Sequence, residues 1–565
     1  MAIKHNKTGL VAETYLTYEE LSGRRSSPEE FKEELCRFPS ELLLRLCSAV
    51  SLLVFGWSAR FDKRRHDQLA EKLCPLALPH LKARPLGVLF HRQMLLLVAK
   101  EALRQGPRTP APLTAWPDLT RLFTMANDQL DQADKPAAVQ AGNLAQLVRR
   151  YLPVSEFQLH QPAIRLSRPY VMLSKLAELT PEGATRFNIP QMFEEASGLS
   201  PDVYFPLVMG CMAKYLPLSA EDLFKSPQAF ALRLDWFSRT RLDKAKLERF
   251  LADVSADYDE FQELLRRFDR GLSDFTIFRE RPIVRLGGEY YPVDLAFLAA
   301  KSESAFFWRS HDSLPSSERG AFHAFWGELF ERYMHRLLKQ SADGSLNRYY
   351  ASPRYAVGNE QVCDGILLCK DSTAVFFEFK GSMFRADAKW GSNSAVLERE
   401  LQAKLVEGKD GEPKGVKQLA NAISNVFRDW RAVAGVNLAR VDKVYPVLVT
   451  YDEIGDAWFL GSYLNEWFRR AVNGKNISAT VTPLFCMSAD CLEGLAGVLN
   501  SVPLSSILEA RYKQDKSLKL PFWLPNNAAL KGVKWAAPAT LAEASEELGR
   551  EAERLFPNSL PPYQA

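Results

Sequence analysis

The stretch that decides the fold runs Val362-Cys363-Asp364-Gly365-Ile366-Leu367-Leu368, then Lys370-Asp371-Ser372, then Ala374-Val375-Phe376-Phe377-Glu378-Phe379-Lys380-Gly381. Two short apolar runs separated by a polar turn read as a β-hairpin with buried strands. Alternation along the second strand places Glu378 and Lys380 on one face and Phe377 and Phe379 on the other. Asp364 lies fourteen residues before Glu378, so the hairpin brings two carboxylates and a lysine to one end. Carboxylates of this kind hold hard cations such as magnesium, which lower the pKa of a bound water. A lysine beside them offsets charge that builds on a phosphate.

Glu-x-Lys spacing alone is weak. Glu30-Lys32, Glu407-Lys409, Glu412-Lys414 and Asp387-Lys389 share the acid-x-Lys spacing, and such pairs are usually solvated surface charges worth little. The apolar strand and the upstream Asp364 set Glu378 apart. Before the hairpin, Phe322, Phe325, Trp326, Leu329, Phe330, Tyr333 and Leu337 recur at helical spacing. Glu328 and Glu331 project from neighbouring positions of that helix, and the Phe330-Glu331-x-Tyr333 setting favours Glu331 as the functional acid. After the hairpin, Lys414 to Ile423 reads as a helix carrying Gln418.

The order Glu on a helix, Asp on a strand, Glu-x-Lys on the next strand and Gln on a helix resembles the PD-(D/E)XK nuclease superfamily, with its restriction-endonuclease-like fold. The resemblance covers roughly residues 318–450, with Cys363 standing where the family name has proline. It implies that Glu331 is the helix-borne acid, that Asp364, Glu378 and Glu331 hold Mg2+ (or Mn2+), that Lys380 is the catalytic lysine, and that Gln418 matches the glutamine some branches place beside the site. The implied function is metal-dependent endonucleolytic cleavage of nucleic acid, DNA before RNA, in bacterial defence against phage or plasmid. The rival is a catalytically inactive nuclease fold acting as a nucleic-acid-binding or scaffold subunit.

The rest of the 565-residue chain sets the frame. Seventy-two basic against 68 acidic residues leave a net charge of +4, so any nucleic-acid surface must be local. Eight cysteines without a C-x-x-C pair read as reduced thiols of a cytoplasmic protein. The first residues lack the apolar core of a signal peptide, and Leu46 to Trp57 is too short to span a bilayer and reads as a buried core helix, so no membrane partner is expected. No P-loop sequence occurs; a partner ATPase or defence subunit, or a second copy of the chain, would have to supply ATP-driven or oligomeric functions.

Periodicity divides the chain into a helical region over 1–104, with a helix start at Ser27-Pro28-Glu29-Glu30, and a second helical region over 118–270. Gln105 to Pro117 reads as a proline-rich linker. A small β-meander or connector follows over 271–314, beginning at Phe275-Thr276-Ile277-Phe278. The nuclease-like domain spans 315–525, and a tail with an acidic helix near 540–555 covers 526–565. Within the nuclease-like domain Lys443 to Thr450 and Thr480 to Phe485 read as strands, with a helix near 488–500. The fold class expected is therefore multidomain α/β, a largely α-helical N-terminal half followed by a restriction-endonuclease-like domain with a central mixed sheet. His323 and His335 flank the acidic helix, where a hydrogen bond from Glu331 to His335 outweighs a zinc site. Lys63-Arg64-Arg65-His66 reads as a solvated face. Arg348, Arg354 and Arg385 are candidates for positioning phosphate.

Overall fold

A computed structural model describes the chain except residues 1, 7–8, 56–61, 85–86, 111–115, 134–143, 156–161, 177–186, 238–239, 343, 345, 392, 409, 430, 523–527 and 558–565. It is a mixed α/β molecule with a helical N-terminal half and a mixed sheet in the C-terminal part. Three sheets occur among the described residues. The first joins β1 (Ala2–Asn6) and β2 (Gly9–Tyr15) as a hairpin, with β3 (Gly87–Val88) parallel to β2. The second joins β4 (Ser255–Ala256), β5 (Ile283–Leu286) and β6 (Glu289–Pro292). The third holds β7 (Asn347–Ala351), β8 (Gly365–Cys369), β9 (Thr373–Lys380), β10 (Lys443–Thr450), β11 (Thr480–Val481) and β12 (Phe485–Ser488).

The expected hairpin is present as β8 and β9, paired antiparallel from Gly365–Phe377 to Cys369–Thr373. Its three-residue turn ends on Ser372 at φ 61°, the left-handed residue that such a turn needs. β7 pairs antiparallel with the other side of β8, while β10 lies parallel to β9 with Glu378 opposite Leu448 and Lys380 opposite Thr450. β10 therefore extends the central sheet, as its apolar run predicts. The expected strand over Thr480 to Phe485 is two short strands, both parallel to β10. Pro483 sits in the gap between them, where it has no N–H to give a ladder.

Alternation sorts the two faces. Val375, Phe377 and Phe379 join the core beneath the helix Ser316–Ala342, whose Phe330 ring meets Phe379 edge-on at 6.4 Å. Ala374 and Phe376 join the core beneath the helix Gly415–Phe427, with Phe376 against Phe427 at 5.9 Å. The helix Leu460–Val472 packs on the same side. Both faces being covered is why these strands read as near-continuous apolar runs.

The helical half shares its core with the sheet: buried side chains from Leu16 to Phe556 form one contiguous cluster that includes Phe377 and Val447. An ionic staple reinforces the junction. Arg168, from the helix Pro162–Tyr170, donates two hydrogen bonds to Glu493 at 2.6 and 3.0 Å, one to Glu303 at 3.1 Å, and pairs with Asp490. Arg165, on the same helix, pairs with Glu453, and Tyr333 donates to Glu493 at 2.7 Å. The helix Ala539–Leu555 lies against Pro201–Ala213 and Pro162–Tyr170. Phe556, just past its end, touches Gly210 so closely that a Cβ there would fall 2.2 Å from the ring.

Ser27 caps the helix Pro28–Leu35 with a capping box, as its sequence predicts. The described part of Leu46 to Trp57 lies in the buried helix Ser40–Val54; Trp57 lies outside the described residues. Three expectations need correction. The N-terminal region opens with the β1–β2 hairpin before its helices begin. Phe275-Thr276-Ile277-Phe278 is not a strand but enters the short helix Thr276–Glu280, started by Asp274 accepting from the Thr276 N–H at 2.9 Å; the meander is reduced to the antiparallel pair β5–β6, and the helix Leu295–Ser313 follows it. His66 is not solvated. It is fully buried in the helix Lys63–Leu73, and its Nε2 accepts the N–H groups of Leu89 and Phe90.

Candidate functional site

β9 outruns β8 by three residues, from Glu378 to Lys380. The backbone N–H of Phe379 thus has no strand partner on that side, and the Asp364 carboxylate takes it at 2.6 Å. Asp364 stands one residue before β8, its own N–H donating to the Phe377 carbonyl at 3.2 Å. Local pairing geometry therefore fixes Asp364 beside the end of β9. Its other oxygen accepts from the Gln361 side chain at 3.0 Å.

Glu378 points from β9 toward the helix Gly415–Phe427 and is 3% exposed. Two residues on, Lys380 donates to Glu378 Oε1 at 2.7 Å and to Gln418 Oε1 at 2.7 Å. Gln418 Oε1 also accepts the Gly415 N–H at 2.7 Å, so this side chain both caps its helix and holds the lysine. Glu331 reaches the site from the long helix. It accepts from Ser352 Oγ at 3.1 Å and lies 3.1 Å from His335 Nε2, while His335 Nδ1 lies 2.8 Å from the Tyr349 hydroxyl. The competing acid Glu328 is largely exposed and pairs with Arg332 one turn along.

Electrostatics ties the four groups together. Burial, then the neighbouring Glu378 and Glu331, push the Asp364 carboxyl well above the usual range, against the pull of Lys380. Burial also raises Glu378, with Lys380 opposing. Burial disfavours the Lys380 ammonium, yet Glu378 and Asp364 outweigh it and raise its pKa. Glu331 is held below its ordinary value because His335 and Ser352 outweigh its burial. Two adjacent acids are thus driven toward protonation, by burial first, an arrangement found at functional sites more often than elsewhere.

The donors suit a hard divalent cation: three carboxylates, without thiolate. Among the described residues no group of three or more His, Cys, Asp or Glu side chains is gathered so as to hold an ion. Asp364 spends its oxygens on Phe379 and Gln361, and Glu378 faces Lys380, so a cation would have to displace the Gln361 or Lys380 contacts.

Three of the other four acid-x-Lys pairs are engaged elsewhere. Glu30 pairs with Arg24, Glu407 with Lys417, Asp387 with Arg385, and Lys389 with Asp452; Lys409 lies outside the described residues. The candidate phosphate ligands are also occupied: Arg348 stacks over Tyr350, Arg354 donates to the Asn359 carbonyl and Arg385 to Glu400. Gln361 and Ser352 were invisible in the sequence, because each bonds across elements and neither sits in a pattern.

Comparison with protein-family models, with characterised proteins and with solved structures finds no match for this chain.

Proposed function

We propose that the chain is a metal-dependent nuclease with a restriction-endonuclease-like core, hydrolysing phosphodiester bonds of DNA. One observation carries this reading: Glu331, Asp364, Glu378 and Lys380, supplied by a helix, a loop and a strand, meet electrostatically at the open end of β9, and Gln418 fixes the lysine. Asp364, Glu378 and Glu331 would hold magnesium or manganese, which when bound supplies positive charge at the scissile phosphate and acidifies a water. Lys380 keeps its proton, and its ammonium stabilises the negative charge that grows on the phosphoryl oxygens in the transition state. Glu378 and Gln418 set the direction of that ammonium in advance, so little reorganisation accompanies reaction. The Phe379 N–H keeps Asp364 from swinging away from the strand end. A role in bacterial defence against foreign DNA belongs to the same proposal.

The deciding experiment incubates the full chain with plasmid, linear DNA and RNA, with magnesium, with manganese and with EDTA. Cleavage of DNA that EDTA abolishes is expected. DNA bound but uncut with either metal would replace the nuclease by a binding protein of the same fold.

A further inference from the structure

A cavity of about 580 Å³ opens between the helical half and the carboxyl ends of the parallel strands β9 and β10. Its walls include Met383 to Ala386, Lys389 and Trp390, which follow β9, and Glu453, which follows β10. Open α/β sheets place ligands at this end of their strands, and the volume lies in the range of small-molecule sites, roughly 300–1,000 Å³. Eight arginine or lysine side chains line it against four carboxylates. Six of the eight are ion-paired: Arg165 with Glu453, Arg281 and Arg309 with Asp253, Lys301 with Glu280, Arg385 with Glu400 and Lys389 with Asp452.

The lining also offers rings and unspent donors. Trp308 and Trp390 face the cavity, and the Arg279 guanidinium lies 3.8 Å from the centre of the Trp390 ring. Arg267 stacks on Phe268 at 4.8 Å and has no ion pair among the described residues. Trp390 Nε1 and Arg309 Nη1 are buried donors without a hydrogen-bond partner among the described residues. Each such donor is destabilising if nothing accepts from it. Two in one cavity, beside the Arg267 guanidinium and aromatic faces, call for an anionic ligand that carries acceptors and a flat ring.

We infer that this cavity binds a nucleotide, its phosphates among Arg267, Arg279, Lys301 and Arg309 and its base against the tryptophan rings. The same chemistry has two sources, a free nucleotide or one nucleotide of a single strand. None of the cavity residues belongs to the Asp364–Glu378–Lys380 site, so the inference stands whether or not the chain is a nuclease.

Calorimetry of the full-length protein in EDTA tests it, with ATP, a short oligothymidylate and tripolyphosphate as probes. ATP or the oligonucleotide should bind stoichiometrically, and tripolyphosphate, which lacks a base, more weakly. Arg267→Glu and Arg279→Glu should each weaken binding by about 10- to 100-fold, the range for losing one charged hydrogen bond, without moving the melting temperature. Arg267 is exposed, so its variant settles the matter if Arg279→Glu fails to fold. Binding of ATP alone identifies a free nucleotide, and binding of the oligonucleotide alone identifies a strand. Failure of both probes at ~1 mM, or wild-type affinity in Arg267→Glu, overturns the inference, ~1 mM being the weak end of ordinary affinities. Equal affinity for tripolyphosphate and ATP overturns the role of the base.

Discussion

Two clusters of buried charge lie on opposite sides of the same decision. Around Arg165 and Arg168, four carboxylates face two guanidinium groups, and every carboxylate touches at least one: Glu303 and Glu493 on Arg168, Glu453 on Arg165, and Asp490 on both. At the end of β9 three carboxylates share one ammonium, and of the three Lys380 bonds only Glu378. Asp364 is left with neutral N–H donors, and burial, with Glu378 and Glu331 beside it, raises its pKa. Both clusters have two more acids than bases. What differs is whether every acid has a fixed counter-charge. A buried ion is therefore weak evidence of chemistry; a buried acid without its own cation is stronger evidence, because it awaits one.

Asp364→Asn breaks the comparison hardest. It removes the worst-compensated charge while keeping an acceptor for the Phe379 N–H. Nuclease turnover should fall by about three orders of magnitude or more, since losing a ligand for a catalytic cation forfeits several kcal/mol at ~1.4 kcal/mol per tenfold. Resistance to urea should hold or rise. A variant that cleaves at the wild-type rate would remove Asp364 from the mechanism.

Arg168→Met should do the reverse. Leaving Glu303 and Glu493 buried without their cation should cost about 3–5 kcal/mol of stability, read from urea or thermal unfolding. Turnover per folded molecule should stay unchanged. Little loss of stability would mean that the staple is dispensable.

Lys380→Ala should slow turnover by about 10²–10³-fold, the usual effect of losing one preorganised electrostatic group, with DNA affinity largely kept. Cleavage as fast as wild type while Glu378→Ala is dead would make the lysine structural.

His66 sharpens the contrast with a third case, a buried base kept neutral. Burial draws its pKa down to about 4, below the ordinary histidine value of ~6.5. The unfolded chain binds the extra proton first, so stability should fall as pH drops from ~6.5 toward ~4, by about 3 kcal/mol across the window. His66→Gln should flatten that part of the pH profile; an unchanged slope would assign it to other groups. Smallest of all, Glu328→Gln should shift neither turnover nor stability by more than ~0.5 kcal/mol, since its pair with Arg332 is exposed. A large loss of turnover there would transfer the role given to Glu331.

The β8–β9 hairpin, β10 and both flanking helices were legible because each is buried on a defined face and shows that burial as an apolar run or stripe. Glu378 and Lys380 followed from alternation, and Asp364 from its place at the start of the hairpin. Gln418 was legible as a residue but not as a hinge between helix cap and lysine, since nothing in the sequence records its bond to Lys380. Phe275 to Phe278 was misread because four residues are too few to show a period, and Asp274 as a helix start outweighs their apolar character. At His66 a signal was present: Leu69, Ala70 and Leu73 stand three, four and seven residues on and share its buried stripe, but the preceding Lys63-Arg64-Arg65 masked it.

The seating of Phe556 on Gly210 sets a timetable for synthesis. The helix Pro201–Ala213 is buried almost throughout, yet part of its cover is the helix Ala539–Leu555, made more than three hundred residues later. At ribosomal rates of ~5–20 residues per second, that apolar surface waits tens of seconds for its lid. Nascent chains in that interval are targets for chaperones and for aggregation. Slower growth temperature and abundant holdase, rather than a shorter chain, are the means to good yield.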